Sequence, residues 1–217
     1  MATKRTMSDL KLLENGRITI ENLQKQTEMT AIMAEFGYDS EAILEGKALF
    51  DAARAVYDHH IKCKDLLKEK VNQFKETNHR LQTLYGLHRK KAKLVFRNDP
   101  MAQTQLELTG RVPRNFLPWL EIVRTFYNML TDNPDLAHPL LRLKVTPDEI
   151  REGHTLITKL EEHRSDYFRA KGEYQLSTTT KEQALNALHQ WISTLQATAK
   201  IAFMENKGVV HLLEGKS

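Results

Sequence analysis

The sequence predicts an all-α protein in which long antiparallel amphipathic helices form an elongated bundle, built by tandem duplication of one helical unit. Three observations carry that prediction. First, proline is absent from Glu41 to Asp99 and again from Asp148 to Asn206, with only Gly46 and Gly86 in the first stretch and Gly153 and Gly172 in the second. A run of that length without a breaker reads as helix, and nearly sixty residues at 1.5 Å each would extend roughly 85 Å. Second, the apolar positions in both stretches fall on a heptad. Third, the chain matches itself at a constant offset of 107 residues from about Leu10 onward. Ile43-Leu44-Glu45-Gly46 aligns with Ile150-Arg151-Glu152-Gly153, and Ala92-Lys93-Leu94-Val95-Phe96 with Ala199-Lys200-Ile201-Ala202-Phe203, without a gap. Chance would supply about six or seven identities at one offset in a chain of ordinary composition; the observed number is more than double. We therefore expect one composite domain, 1–217, made of two repeats, 8–110 and 115–217.

The first repeat opens with a short helical region that Asn15-Gly16 is expected to interrupt, resuming from Ile20 to Phe36. Asp39 then stands where an N-cap would start the first long helix, and Asn98-Asp99-Pro100 ends it. A short amphipathic tail runs from Met101 to Leu108, and the repeats join near Gly110 to Asn115. In the second repeat, Leu117, Leu120, Val123, Phe126, Tyr127 and Leu130 lie on one side of a helix from about Phe116 to Leu130, and Asn133-Pro134 starts another that ends near Leu143. Thr146-Pro147-Asp148-Glu149 is a capping box with proline at the first helical position, so hydroxyl and carboxylate can satisfy free backbone amides reciprocally. The second long helix is expected over 148–204, stopped by Glu205-Asn206-Lys207-Gly208 and followed by a tail from Val209 to Leu213. No strand pattern is present.

With Ile43 at position a, the first seam reads Ile43, Phe50, Tyr57, Lys64, Val71, Asn78, Tyr85, Ala92 at a, and Gly46, Ala53, His60, Leu67, Phe74, Leu81, His88, Val95 at d. Lys171 takes the place of Lys64 in the second copy. A sustained heptad predicts packing at small crossing angles, and two related units are expected to meet about a pseudo-twofold axis, with Ile43 approaching the end that holds Ala202 and Ile150 the end that holds Val95. Glycine one turn into each long helix, at Gly46 and Gly153, predicts a close backbone approach there.

The closing segments of the copies, Ala92-Lys93-Leu94-Val95-Phe96 with Asn98-Asp99-Pro100 and Ala199-Lys200-Ile201-Ala202-Phe203 with Leu212-Leu213-Glu214, resemble those of an uncharacterised family of all-helical bacterial repeat proteins common in Bacteroidetes. The second copy departs from the family pattern in lacking the proline. The resemblance implies a helical repeat fold and carries no activity with it.

Composition narrows function. Charged residues are 28 % and hydrophobic ones 41 %, an ordinary soluble balance, and the net charge is only +4. Residues 1–110 carry 18 basic and 15 acidic side chains and the remainder 14 and 13, so neither half is a dedicated polyanion module. No window approaches the length of a membrane span, and Met1 to Asp9 lacks an apolar leader core; a cytoplasmic protein is expected. The single cysteine, Cys63, excludes an internal disulfide.

Three clusters have residue types that could carry chemistry. Glu76 and His79 have the spacing of half a di-iron motif, but the repeat mates Gln183 and Asn186 supply no second half; an exposed pair is expected. His59 and Cys63 are two ligands where zinc wants three or four; His60 is expected in the seam and Cys63 as a partly buried thiol. The basic run His88, Arg89, Lys90, Lys91, Lys93 and Arg97 is a possible anion-binding stripe, set against the alternative that cations near a helix C-terminus simply suit its dipole. Trp119 and Trp191 read as core anchors. No catalytic motif is found, so no enzyme activity and no cofactor are expected. The expected function is that of a structural or protein-interaction bundle, the partner a protein and a homodimer possible; the alternative is a weak polyanion (nucleic acid) or membrane-surface binder through residues 88–97.

Overall fold

The computed structural model describes residues 7–205. Among them are α1 (Asp9–Lys25), α2 (Thr27–Glu35), α3 (Ser40–Val95), α4 (Pro100–Gln105), α5 (Phe116–Asp132), α6 (Pro134–Ala137) running into a 3₁₀ turn (His138–Leu143), and α7 (Pro147–Glu205), with no strand. The second tail and Leu212, Leu213 and Glu214 lie outside the described residues. Both long helices are continuous, α3 over 56 residues and α7 over 59.

Their starts follow from the residues named above. Asp39 Oδ1 accepts from the amides of Glu41 and Ala42, both at 3.0 Å. At α7 the amide of Glu149 donates to Thr146 Oγ1 at 3.3 Å while the amide of Thr146 donates to Glu149 Oε2 at 3.2 Å, a complete capping box. Asp99 caps α4 through Ala102 N at 2.9 Å, which is why the chain leaves α3 and re-enters helix within a few residues.

Element boundaries recur at the sequence offset. α1 and α5 are both 17 residues long and begin 107 positions apart, at Asp9 and Phe116; α3 and α7 begin the same distance apart, at Ser40 and Pro147. Gln26 and Asn133, again equivalent, both leave the helical region, at φ −101°, ψ 92° and φ −120°, ψ 94°.

That equivalence corrects the first copy. Asn15-Gly16 does not break α1; the break is at Gln26. Gly16 is buried, and a Cβ there would meet Ile192 Cδ1 at 3.2 Å and Leu188 Cδ2 at 3.4 Å, so the glycine serves a close contact inside a helix rather than a turn. No proline marks the break at Gln26, unlike Asn133-Pro134, so the sequence carries no stop signal there.

The chain forms two compact units, and they do not coincide with the repeats. One comprises Met1–Asp65 with Gly172–Ser217, the other Leu66–Lys171. Each takes the start of one long helix and the end of the other. In the first, Ile43 packs with Leu195, Ala199 and Ala202, and Leu12, Leu13 and Ala53 with Leu185, Leu188 and Ile192. The pairing of early α3 with late α7, and of Ala53 with residues between, makes the two segments antiparallel. In the second, Leu81, Tyr85 and Ala92 pack with α5 residues Phe126 and Tyr127 and with Ile150, Leu156 and Leu160 of α7. Here Thr77 meets His163 at 2.9 Å and Arg80 meets Glu152 at 3.2 Å, again antiparallel.

Two further expectations are corrected. Lys64 and Lys171, placed at a by a strict heptad, are exposed, while the preceding residues Cys63 and Ala170 are buried. His60 is buried three residues before Cys63, so the inward row through the centre of α3 runs from His60 to Cys63 and leaves Lys64, about 100° further round the helix, outside it. Gly46 and Gly153 do sit in close contacts, but against rings and not backbones. A Cβ on Gly46 would lie 2.1 Å from Trp191 Cζ2, and one on Gly153 2.4 Å from Tyr127 Cε1. The equivalent glycines accept rings from different elements, α7 in one unit and α5 in the other.

Candidate anion-binding face

The six residues of the basic run separate in the structure. His88 is completely buried, its Nδ1 3.1 Å from Tyr127 Oη and its Nε2 3.5 Å from Glu149 Oε2. Burial holds its imidazole below the ordinary range; Glu149 works in the other direction and Lys91 adds to the depression. His88 therefore belongs to the core of its unit and leaves the stripe. Arg89 is half-buried, and its Nη2 donates to the carbonyls of Leu108 at 2.9 Å and Gly110 at 3.3 Å. It pins the segment after α4 to α3. Lys91 is half-buried, and Lys90, Lys93 and Arg97 are exposed.

This division follows from helical spacing. Tyr85, His88 and Ala92 point inward at intervals of three and four, so Lys90, Lys93 and Arg97, likewise three and four apart, share the opposite side. Arg80, Thr83, Leu87 and Leu94 are exposed on that side as well. No aspartate or glutamate occurs from Thr77 to Asn98. The bounding Asp99 carboxylate is engaged in capping α4. Of the cations, Arg80 is paired across to Glu152 at 3.2 Å.

Two recesses flank this face. One of about 270 Å³ is lined by Tyr85, Gly86, Arg89, Lys90, Lys93 and Trp119 among others. The second, about 420 Å³, is lined by Lys93, Arg97, Gln103, Leu108, Thr109 and Gly110. Neither has a carboxylate in its lining. Gly86 lines the first recess, and a Cβ there would meet nothing within 4 Å. Arg80, Leu87 and Leu94 are no part of the basic run, and the stretch without carboxylates from Thr77 to Asn98 is the sequence signal that marks them as belonging to the same face.

The other clusters resolve into packing. His60 Nδ1 is 3.1 Å from Ser177 Oγ and its ring stacks on Tyr174 at 5.0 Å between centroids, while Cys63 is buried with Sγ 3.4 Å from His59 Nε2. Glu76 and His79 are exposed. Among the described residues no three histidine, cysteine or carboxylate side chains are grouped to hold a metal ion. The buried Lys181 ammonium is held by Asp9 Oδ2 at 2.6 Å. Trp119 is buried and Trp191 partly so; among the described residues no helix is long and apolar enough to cross a membrane. No family model, curated protein or solved structure matches the chain.

Proposed function

We propose that this protein is a non-enzymatic helical bundle that works by binding, and that its contact surface for an anionic partner is the exposed side of α3 from Arg80 to Arg97. The observation that carries the reading is the absence of any carboxylate between Thr77 and Asn98 on a helix whose outward side presents Lys90, Lys93 and Arg97. Surface cations normally alternate with anions, and a stretch of one sign focuses an attractive field on partners of the other. The buried polar side chains fit a binding role better than turnover: His60, Thr77, His88 and Lys181 each make a cross-helix contact inside a unit. The recurrence of boundaries at one offset supports duplication as the origin of the chain. A cytoplasmic setting and a likeness to bacterial repeat proteins belong to the same reading and rest on the lone cysteine and the quoted motifs.

Binding of the full chain to heparin and to polyglutamate, at low and at high salt, tests this. The parent should bind at least one of them and release it as salt rises, whereas Lys90→Glu with Lys93→Glu should abolish retention. Binding that survives both high salt and charge reversal would remove the α3 face from the proposal.

A further inference from the structure

Cations alone do not describe this face. Leu87 and Leu94 lie on it, 50 % and 59 % exposed. The two leucines are seven residues apart, hence about 10 Å along the helix and nearly in line. Lys90 lies between them on one side and Lys91 on the other, with Arg97 beyond Leu94. Apolar side chains in a row, flanked by long cationic ones, form the pattern that lies in a membrane interface: leucines enter the boundary of the acyl region while lysine and arginine stems extend sideways to headgroup phosphates.

We infer that this face docks on an anionic phospholipid surface, with Leu87 and Leu94 entering the interface and Lys90, Lys93 and Arg97 pairing with lipid phosphates. The inference rests on the proposed anion-binding role of the same face and names its partner. Charge complementarity supplies the attraction, since each cation near an anionic leaflet adds modestly and additively. The apolar row is what selects lipid over a free polyanion, because a nucleic acid backbone or a polyglutamate chain has no use for two exposed leucines among its contacts. The recess of about 420 Å³ beside the row, with Lys93, Arg97 and the Thr109 hydroxyl in its lining, can receive one headgroup phosphate at the edge of the contact. The row stands on a convex helix side, which a deformable lipid surface fits more readily than a partner helix, whose apolar stripe seeks a groove.

The test is co-sedimentation of the full chain with vesicles of phosphatidylcholine alone and of equimolar phosphatidylcholine and phosphatidylserine, with single-stranded DNA and polyglutamate as soluble competitors. The chain should bind the mixed vesicles and not the neutral ones. Lys90→Glu with Lys93→Glu should lower vesicle affinity at least about thirty-fold, about fivefold for each cation removed with the added carboxylates repelling further; Lys90→Arg with Lys93→Arg should keep it. Leu87→Ser with Leu94→Ser should lower it about tenfold while leaving DNA and polyglutamate binding unchanged. All four positions are outward, and a thermal melt of each variant confirms the fold. If the serine variant binds vesicles like the parent, or if the chain binds DNA or polyglutamate but not mixed vesicles, the lipid inference is overturned and the anion-binding reading stands. If the chain binds neither the mixed vesicles nor DNA, polyglutamate or heparin, both fall.

Discussion

Four interior glycines divide into two pairs whose substitutions should have opposite signs. A methyl group on Gly46 or Gly153 would collide with the Trp191 or Tyr127 ring, at 2.1 and 2.4 Å, whereas Gly86 and Gly172 have nothing within 4 Å. Glycine in a helix interior costs up to about 1 kcal/mol against alanine, and overpacking costs about 1–3 kcal/mol. Gly86→Ala and Gly172→Ala are therefore expected to raise the melting temperature, and Gly46→Ala and Gly153→Ala to lower it; the same sign in all four would remove the ring contacts as the reason for these glycines. His88 yields a second expectation at this scale. Its folded-state pKa lies below the ordinary value near 6.5 because the ring is buried. The unfolded chain thus takes up the proton first, and stability is full above about pH 6.5 and declines as the pH drops below it. His60 is shifted in the same direction, chiefly by burial with Lys181 and Lys64 adding to it and Asp9 and Glu182 opposing. Urea unfolding between pH 8 and 5 should show this decline, and His88→Gln should make it shallower; an unchanged slope in the variant would exclude His88 as a source.

The start of α7 is set by two reciprocal bonds, and Glu149 has a further neighbour in His88. Thr146→Ala is expected to cost about 1 kcal/mol, measured by urea unfolding, as loss of an N-cap hydroxyl generally does; a cost indistinguishable from zero would mean that proline at the first turn suffices. The centre of α7 shows why a poor helix-forming run need not break a helix. Thr178 and Thr180 donate their hydroxyls to carbonyls one turn back, Tyr174 O at 2.9 Å and Leu176 O at 3.1 Å, and Ser177 bonds Tyr174 O at 2.8 Å. These groups reach back to the helix instead of competing with it. Continuity was legible in the sequence because the only strong breakers, proline and paired glycine, are absent. The break at Gln26 was not, since it depends on φ and ψ at a residue with no such signature.

At the scale of the molecule, the two compact units cut across the two repeats. Residues 66–171 are contiguous and contain α4, α5, α6 and the facing stretches of both long helices, with their own core from Leu81 to Leu160. Expressed alone, this segment is expected to give a cooperative thermal transition by circular dichroism. The first repeat, 8–110, is not, because Leu12, Leu13, Ile43 and Ala53 find their apolar partners at Leu185 to Ala202. A cooperative melt from 8–110 combined with none from 66–171 would reverse this assignment.

Local chemistry along the chain was enough for the helix content, the caps at Asp39 and Thr146, the end of α3 before Pro100, the repeat offset, and the inward placement of His60. Each of these depends on spacing or on backbone groups within a turn, which sequence records directly. Tertiary structure alone decided which rings press on Gly46 and Gly153, that Lys64 and Lys171 face outward, and that the basic run divides into buried His88, Arg89 held by backbone carbonyls, and exposed Lys90, Lys93 and Arg97. Those outcomes depend on partners well outside the local turn, from 19 positions away for Arg89 and Leu108 to 145 for Gly46 and Trp191. A residue's side on a long helix is set by where the neighbouring helices lie, and no local pattern carries that information.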